Sequence, residues 1–473
     1  MKISQELKEL SKIFANNNKS LYIVGGFVRD SYLGIQSIIR DDIDLCSSVK
    51  PNELKQLLKD TNFTLKPLNE KLGVFEIIGK RRYEYATFRK EIYEDESHSP
   101  SKVEFIKELE EDARRRDFRI NAIYFDIEKG SYIDPLGGIG DLQDRIITTV
   151  KVPKMVFNDD PERILRLIRF ACCLGLNIPE EEWFYAKQNA YKIHYMSKYR
   201  LKNEFDKLLN ADQIYSDLLY TKDAHFRAMV LLGELDIWKE ILPSMQDIKN
   251  ADVFDKKNER IYDHTLNCLK NSSPKIRLAV LLHDAAKVKT MLERKNFFGS
   301  KEFTGVIVEN NLGINGLGYS KSVVENTKRI ILGYDFNQHC LASKKTIKEF
   351  IFNNREVVDD VIEIKKVVFE ESAGFNKKCK SAEILEKVYN QMIKEKAPFK
   401  LEELEINGDD IIKNFPDINL ENLDVLLDKI LAWAVLNARK NNLKDLLIVA
   451  KKMINSKRDF YLDNDWYFMF YLF

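Results

Sequence analysis

Apolar and polar residues follow different patterns in the first third of the chain and in the rest. Short apolar or strictly alternating runs predict β-strands, at residues 21–24, 41–46, 74–79, 82–88 and 123–126. Runs with a helical period predict helices, at residues 1–20, 28–33, 51–60 and 106–113. The polar stretch 89–100 predicts a mobile loop. After a glycine-dense turn at 134–142 only helical periodicity continues, so an α+β domain is expected to end near residue 150 and helical domains to follow.

Length and charge narrow the class of protein. A chain of 473 residues is expected to form about two to four domains. Its 75 Lys and Arg residues balance 74 Asp and Glu residues, which neither demands nor excludes a nucleic-acid partner. The chain starts without an apolar signal segment, and no charge-free apolar run reaches about 18 residues, so we expect a cytoplasmic protein that does not span a membrane. The six cysteines show no C-x-x-C spacing, which predicts reduced thiols rather than disulfides or a zinc site.

Two aspartates form the main candidate for metal binding. Asp42 and Asp44 fall on one predicted strand, where residues i and i+2 point to the same face. Two neighbouring carboxylates repel each other unless a cation lies between them, and hard oxygen ligands suit Mg²⁺. Upstream, Gly25 and Gly26 follow a buried strand, and a glycine pair at such a place lets backbone N–H groups approach a phosphate. Together these residues predict a site for a metal-bound nucleoside triphosphate.

Arginines are concentrated in two further places. Arg114–Arg116 and Arg119 carry the densest positive charge of the first 150 residues, and the chain becomes apolar directly afterwards. An arginine cluster that enters a core needs anions nearby, such as a triphosphate or Asp117. On a helix that begins at Asp160, arginines recur every three residues, at 163, 166 and 169. From the residues alone, both groups also fit solvated charged surfaces.

Six motifs in one order resemble those of the class II tRNA nucleotidyltransferases, the CCA-adding enzymes of bacteria and eukaryotes. They are Gly25-Gly26-x-Val28-Arg29-Asp30, Asp42-Ile43-Asp44, Arg115-Arg116-Asp117-Phe118-x-x-Asn121-Ala122, Asp134-Pro135-x-Gly137-Gly138, Asp160-Pro161-x-Arg163-Ile164-Leu165-Arg166 and Ser197-x-x-Arg200-x-x-x-Glu204. The resemblance implies a polymerase-β-like nucleotidyltransferase palm followed by an all-helical neck, an HD-like body and a tail. The expected boundaries are 1–150, 151–215, 216–345 and 346–473.

The same resemblance implies a reaction and assigns roles by position. The protein would add C, C and A, or the terminal A alone, to tRNA 3′ ends from CTP and ATP with Mg²⁺. Asp42 and Asp44 would hold the metal as catalytic carboxylates. The residues expected to bind the nucleotide are Gly25, Gly26, Arg29, Arg115, Arg116, Asp117 and Asn121. Glu84 would either bring a third carboxylate to the metal or form an ion pair on its strand.

The resemblance also implies how the base is read. Asp160 and Arg163 would contact the base, and Arg166 and Arg169 would assist. Cytosine and adenine share an amino group beside a ring nitrogen, and a carboxylate acceptor next to a guanidinium donor matches that pair. Uracil and guanine carry an oxygen in place of the amino group, so this arrangement would reject them.

A second resemblance concerns the expected body domain. Tyr262-Asp263-His264 and His283-Asp284 resemble the metal-binding motifs of HD phosphohydrolase domains. His264, His283 and Asp284 are therefore candidate ligands of a second metal, with Asp335 as a further ligand. A valine stands at 306 where another histidine is expected. We therefore expect an HD-like fold retained for structure.

Three other functions remain open. A bacterial poly(A) polymerase would share the amino-terminal motifs, although the chain lacks a strongly basic tail. An HD phosphohydrolase acting on RNA ends would use the histidines instead, and a tRNA-binding chaperone would need no acid pair. The intact pair Asp42 and Asp44 favours the tRNA nucleotidyltransferase. The expected partners are tRNA, CTP and ATP, without a membrane, and the sequence leaves the oligomeric state open.

Overall fold

The computed structural model forms two compact units, Met1–Asp252 with Glu309–Tyr319 and Val253–Val308 with Ser320–Phe473. It describes residues 1–35, 43–92, 102–216, 218, 221–251, 253–254, 259–295, 299–373 and 377–455. Within these ranges, every helix is too short or too polar to cross a bilayer.

The described residues of the first unit contain nine strands. They are β1 Tyr22–Val24, β2 Asp44–Ser47, β3 Thr64–Asn69, β4 Val74–Ile78, β5 Arg82–Thr87, β6 Arg89–Ile92, β7 Lys102–Phe105, β8 Tyr124–Asp126 and β9 Ser131–Ile133. Seven of them form one sheet in the order β3-β4-β5-β2-β1-β8-β9, and β6 and β7 form a separate ribbon. Strands β2 and β5 run parallel, and the other neighbouring pairs run antiparallel.

Helices surround and follow the sheet in the first unit. They are α1 Gln5–Ala15, α2 Gly26–Tyr32, α3 Pro51–Leu58, α4 Leu109–Arg114, α5 Gly138–Asp144, α6 Pro153–Asp159, α7 Glu162–Leu174, α8 Glu180–Asn189, α9 Lys198–Leu209, α10 Ala211–Ile214, α11 Ala224–Glu234, α12 Trp238–Ile241 and α13 Pro243–Asn250. Ser4 caps α1 by accepting from the N–H of Leu7, and Phe14 of α1 lies 6.2 Å from the ring of Tyr85 in β5. Helix α1 thus covers one face of the sheet.

Strand β5 separates the two faces of the sheet. Tyr83 and Tyr85 are buried on the face covered by α1, whereas Glu84 is exposed on the other face. This alternation follows the two-residue period of an extended strand. The second face therefore carries the polar residues of the candidate site.

The second unit is helical. Its helices are α14 Ile261–Lys270, α15 Arg277–Leu282, α16 Ala285–Arg294, α17 Ser300–Leu312, α18 Lys321–Tyr334, α19 Lys344–Asn353, α20 Val358–Ala373, α21 Lys380–Lys394, α22 Gly408–Asn414, α23 Leu423–Leu436 and α24 Leu443–Asn455. Of α17, only the residues up to Val308 belong to this unit. Near the end of the chain, α22, α23 and α24 bury a small apolar core built on Ile411, Ile430 and Leu446. A capping box of Asn407 and Asp410 fixes the start of α22.

The predicted α+β class, with a mixed sheet first and helices afterwards, is confirmed. The prediction of a loop from residue 89 was wrong for its first residues, because Arg89–Ile92 form β6 and pair with β7. Arg89 is buried there and its Nε donates to Glu91 at 2.7 Å, so a polar sequence without an apolar alternation still forms a ribbon. Residues 93–100 of that prediction lie outside the described residues. Strands β3, β7 and β9 were not predicted.

Candidate active site

Asp44 is the first residue of β2 and lies, partly exposed, on the same face of the sheet as Glu84. Its neighbour in the parallel register is Glu84 of β5, so the two carboxylates lie side by side on one face. Gly25 stands at the start of α2 with φ +82°, and a Cβ atom added there would lie 3.0 Å from Asp44 Oδ2. Glycine is therefore required at Gly25 both for its backbone angle and for the close approach of the carboxylate. Asp42, the other predicted metal ligand, lies outside the described residues.

The arginine run, Arg114–Arg116, reaches the same face of the sheet through Arg116. Cys46 lies two residues after Asp44, and burial raises the pKa of its thiol while the charge of Arg116 acts in the opposite direction. The guanidinium of Arg116 donates from Nε to the hydroxyl of Tyr124 at 3.2 Å and packs over that ring at 5.3 Å. Positive charge therefore lies near the carboxylates, where it can bind phosphate oxygens.

Asp112 holds the arginine run in place from α4. Its carboxylate is fully buried and accepts from Arg115 at 2.7 Å, from Arg116 at 3.3 Å and from the hydroxyl of Tyr124 at 2.8 Å. Burial alone would raise the pKa of Asp112, but the charges of Arg115 and Arg116 and the Tyr124 hydrogen bond lower it to about 2. Sequence reasoning missed this residue, although the i, i+3 and i, i+4 spacing to the two arginines was a usable signal.

Arg29 is enclosed by partners within the fold. Its side chain is 1% exposed. The guanidinium donates to Asp30 Oδ1 at 2.8 and 2.7 Å, to Asn121 Oδ1 at 2.6 Å and to the hydroxyl of Tyr215 at 2.7 Å. These contacts join α2 to the 3₁₀ turn at Arg119–Asn121 and to the residue that follows α10. The expected contact of Arg29 with a triphosphate stays a prediction, and Tyr215 is a partner that sequence reasoning missed.

Asp117 connects the arginine run to α7. Its Oδ2 accepts from Nε and Nη2 of Arg166 at 2.8 and 2.6 Å, and its Oδ1 accepts from Asn121 at 3.1 Å and from the N–H of Phe118 at 2.8 Å. Burial would raise the pKa of Asp117, but Arg166 and these hydrogen bonds lower it to about 2. Because Asn121 also accepts from Arg29, one hydrogen-bonded chain runs from α2 through Asp117 to α7.

The two predicted base readers lie at the start of α7 with different partners. Asp160 accepts from Arg200 Nη2 at 2.9 and 2.7 Å through its two oxygens, and its Oδ1 also accepts from the N–H of Glu162 at 3.1 Å. The guanidinium of Arg163 donates to the carbonyl of Arg115 at 3.0 Å. The structure thus joins Arg163 to the arginine run and Asp160 to α9.

In addition to the pair of Asp160 and Arg200, a second ion pair joins α7 to α9. Arg169 Nε donates to the buried carboxylate of Glu204 at 2.8 Å. The guanidinium groups of Arg29, Arg166 and Arg169 also surround the ring of Phe170, at 5.0, 5.3 and 4.3 Å. Arg200 and Glu204 belong to a motif recognised in the sequence, but their roles as partners of Asp160 and Arg169 became visible only in the structure.

The predicted second metal site lies in the second unit. His264 and His283 are buried, and their Nε2 atoms lie 4.0 and 3.2 Å from Asp284 Oδ2. The structure also adds Cys268, whose Sγ lies 3.6 Å from His264 Nε2. Whether these residues bind a metal stays a prediction.

Comparison with known proteins identifies the family. Residues 21–148 match the model of the poly(A) polymerase head domain. The CCA-adding enzyme of Streptococcus sanguinis (strain SK36) is 34% identical over 300 residues, which cover 63% of this chain and 68% of that enzyme. The chain belongs to the family of CCA-adding enzymes. With other relatives in this family the chain aligns over about half of their length. The CCA-adding enzyme of Streptococcus suis (strain 05ZYH33), for example, is 38% identical over 191 residues, which cover 40% of this chain and 46% of that enzyme.

Solved structures of CCA-adding enzymes share the fold. The Bacillus stearothermophilus enzyme in complex with CTP superposes with a TM-score of 0.63 at 22% identity, covering 95% of this chain and 98% of that one. The Thermotoga maritima enzyme complexed with tRNA gives a TM-score of 0.54 at 18% identity, covering 95% and 96%. The family predicted from the motifs is confirmed, and as a nucleotidyltransferase family it depends on divalent metal ions in general.

In this member of the family, replacing Gly25 with alanine is expected to lower nucleotidyl transfer by about 100-fold. The added Cβ meets Asp44 Oδ2 at 3.0 Å, and displacement of a reacting group by about 1 Å costs about that factor. Steady-state incorporation of labelled nucleotide measures the effect. Gly34→Ala is the matched control, since Gly34 has φ +71° but no atom within 4 Å of the added Cβ. An equal loss in both variants would contradict a role of Gly25 in placing Asp44.

Asp117→Asn is expected to reduce stability in a pH-dependent way. Because the pKa of Asp117 is lowered to about 2, its carboxylate stabilises the folded state by about 2 kcal/mol at pH values above its pKa in the unfolded chain. This stabilisation disappears as the pH falls toward 2. The variant should therefore unfold at a lower temperature than the wild type at pH 7, and the difference should narrow as the pH falls from 5 to 3. Thermal unfolding at several pH values measures this. The exposed Asp60→Asn control should match the wild type throughout, and a pH-independent difference for Asp117→Asn would refute the assignment.

Proposed function

We propose that this protein adds C, C and A, or the terminal A alone, to the 3′ end of tRNA in the cytoplasm, using CTP and ATP without a nucleic-acid template. The observation that carries the proposal is the arrangement of Asp44, Glu84 and Gly25 in a chain of the CCA-adding family. Structural relatives in complex with CTP, with tRNA or with an ATP analogue support the choice of substrates.

The carboxylates on β2 and β5 fit a divalent metal. Asp44 and Glu84 offer hard carboxylate oxygens on one face, which suit Mg²⁺ better than softer metals. Asp42 and Asp44 would hold the ion, and Glu84 is the candidate for a third carboxylate. When bound, Mg²⁺ supplies charge neutralisation at the reacting phosphate.

The remaining steps follow from positioning and charge. The 3′-hydroxyl of the tRNA attacks the α-phosphate in line, a new P–O bond forms and pyrophosphate leaves. The backbone at Gly25 and Gly26 would approach the triphosphate, and the arginine run would neutralise its charge. The residues proposed to bind or frame the nucleotide are Gly25, Gly26, Arg29, Arg115, Arg116, Asp117 and Asn121. Among them, Arg29, Asp117 and Asn121 already bind one another, which favours a framing role.

Asp160 and Arg163 are proposed to read the base, with Arg166 and Arg169 in support. A carboxylate has about four acceptor positions, so Asp160 keeps acceptor capacity while it binds Arg200. Arg200 orients this carboxylate, and the carbonyl of Arg115 orients Arg163. Such preorganised groups favour cytosine and adenine over uracil and guanine.

The proposed domains are a palm at 1–150, a neck at 151–215, an HD-like body at 216–345 and a tail at 346–473. The palm would carry the transfer chemistry and the neck the base-reading residues. The tail is proposed to contact the tRNA through its backbone and shape.

Poly(A) polymerase is the second candidate, because the matching family model is described by that name. One assay separates the two functions. The protein is incubated with Mg²⁺ and tRNA that lacks its last one, two or three nucleotides, and CTP, ATP or both are offered. Stepwise completion of C, C and A supports the proposal, and addition of A only to tRNA ending in CC restricts it to the terminal step. Long A tails would instead identify a poly(A) polymerase, and hydrolysis without incorporation would identify a phosphohydrolase.

A further inference from the structure

We propose that a basic and aromatic segment of the first unit, residues 183–203, binds the unpaired 3′ end of the RNA acceptor by stacking its bases on exposed tyrosines. The segment contains five lysine and arginine residues and no aspartate or glutamate, although the charges balance in the chain as a whole. Its aromatic residues are Trp183, Phe184, Tyr185, Tyr191, Tyr195 and Tyr199. Aromatic rings interleaved with positive charge are typical of surfaces that bind single-stranded nucleic acid. The inference rests on the proposed function, because that function makes RNA the acceptor.

Four rings of the segment are exposed. Phe184 is 53% exposed, Tyr191 62%, Tyr195 57% and Tyr199 75%. In the part of the chain that the structure describes, the one other exposed phenylalanine, tyrosine or tryptophan is Phe254, at 42%. Exposed rings are thus concentrated in this segment, and such a concentration marks a surface that a partner covers.

The segment is anchored from its other side. It runs from α8 through the 3₁₀ turn Ala190–Tyr195 into α9. The side chains of Ala186, Ile193 and Met196 are buried, and the side chain of Ser197 caps α9. The exposed rings are therefore carried by a folded backbone, which reduces the entropy lost when a partner binds.

Three lysines of the segment have no carboxylate partner among the described residues. Lys187 lies over the ring of Trp183 at 5.6 Å, and Lys192 donates to the side chain of Asn158. Lys198 donates to a backbone carbonyl at 2.7 Å. The two cations at the end of the segment do have carboxylate partners. Because Lys187 and Lys198 are also exposed, their charge is available to phosphate groups.

The charge of the segment distinguishes between possible partners. In a dimer with two-fold symmetry the same surface lies on both sides of the interface, so two positive segments would face each other. Like charges at an interface repel. A single strand of RNA instead offers flat bases for the rings and phosphates for the lysines. The charge therefore favours RNA over a second copy of the chain.

The segment is continuous with the proposed base reader. Arg200 follows Tyr199 directly and donates to both oxygens of Asp160. An RNA strand whose terminal nucleotide lies beside the base at Asp160 would therefore pass Tyr199 first, followed by Tyr195 and Tyr191. At about one base per ring, these tyrosines accommodate about three unpaired nucleotides.

Binding of a short RNA to the full chain tests the inference. The probe is a fluorescein-labelled single-stranded RNA that ends in CC, without nucleotide or Mg²⁺, and fluorescence anisotropy measures its Kd. We expect Tyr195→Ala and Tyr199→Ala each to weaken binding by about tenfold, because stacking of one base contributes about that factor. A blunt RNA duplex should bind equally to the wild type and both variants, since its bases stack on one another. Unchanged affinity of both variants for the single strand would overturn the inference.

Two further variants separate stacking from a structural effect. Tyr199→Trp keeps a ring, so it should bind the single strand within about twofold of the wild type. Equally weak binding by Tyr199→Trp and Tyr199→Ala would mean that Tyr199 acts by supporting Arg200, and it would contradict stacking. Phe254→Ala is the matched control, because it removes an exposed ring outside the segment and should bind like the wild type.

The charge contribution is tested by varying the salt concentration. Lys198→Met should weaken binding and lower the slope of log Kd against log salt by about one, because one phosphate contact is lost. The tyrosine variants should keep the slope of the wild type. An unchanged slope in Lys198→Met would contradict a phosphate contact of that lysine.

Incorporation of CTP and ATP into tRNA, measured in parallel, distinguishes this inference from the proposed function. Normal incorporation by the wild type together with unchanged RNA affinity of the tyrosine variants overturns the binding surface alone. Weakened binding by these variants, without incorporation by the wild type on any RNA, supports the surface and overturns the transferase function alone. If the variants convert a dimer to monomers in sedimentation without a change in RNA affinity, the segment is an interface between copies and the inference is wrong.

Discussion

Replacing Asp44 with asparagine is expected to lower nucleotide incorporation by about three orders of magnitude. The variant keeps the shape of the side chain but removes the charge that would hold the metal beside the reacting phosphate. Metal ions supply several kcal/mol of charge stabilisation in such reactions, and about 4 kcal/mol corresponds to a thousandfold in rate. Single-turnover incorporation into tRNA that lacks its terminal A measures the loss.

Glu76→Gln is the matched control for this experiment. Glu76 of β4 pairs in register with Glu84 of β5, so it lies one strand farther from Asp44 than Glu84 does. Its Oε1 lies 3.6 Å from Nη1 of the exposed Arg82. It therefore shares the sheet face and the chemical change but not the proposed metal position. We expect incorporation by Glu76→Gln within about twofold of the wild type, and binding of tRNA should be unchanged in both variants. Normal turnover by Asp44→Asn would refute the metal assignment.

Asp160→Ala is expected to reduce the preference for CTP and ATP over UTP and GTP by about 10- to 100-fold. A bidentate contact to a base contributes about 1–3 kcal/mol to discrimination, and alanine removes the acceptor half of that contact. The preference is measured as the ratio of kcat/KM values for the four nucleotides. An unchanged ratio would rule out Asp160 as a base reader.

Arg200→Met tests whether Asp160 must be oriented. Arg200 binds both oxygens of Asp160, so its removal should lower the same preference, by a smaller factor, while leaving the carboxylate in place. Lys202→Met on the same helix removes an equal charge that pairs with Asp206, and it should keep the preference of the wild type. Loss of preference in both variants would indicate a general effect of α9 rather than a specific one.

Three arginines have partners in the structure that differ from those expected from the sequence. The resemblance to the CCA-adding enzymes implied that Arg29, Arg166 and Arg169 lie at the nucleotide. In the structure each has a carboxylate partner of its own, namely Asp30, Asp117 and Glu204. A motif reports which residue types occur together, but the partner of a long side chain depends on which distant elements pack against it. Their direct contact with the nucleotide therefore stays a prediction.

The sequence by itself determined the strand that carries Asp44, the glycine before α2, the change to helices after the sheet and the family. These features depend on residues close together along the chain, so local periodicity and motif spacing were sufficient. Only the tertiary structure decided that Glu84 lies beside Asp44, that Arg200 binds Asp160 and that His283 lies close to His264 and Cys268. These contacts join residues on separate strands and helices. Strand order and helix packing bring such residues together, and neither is encoded in the spacing of a single segment.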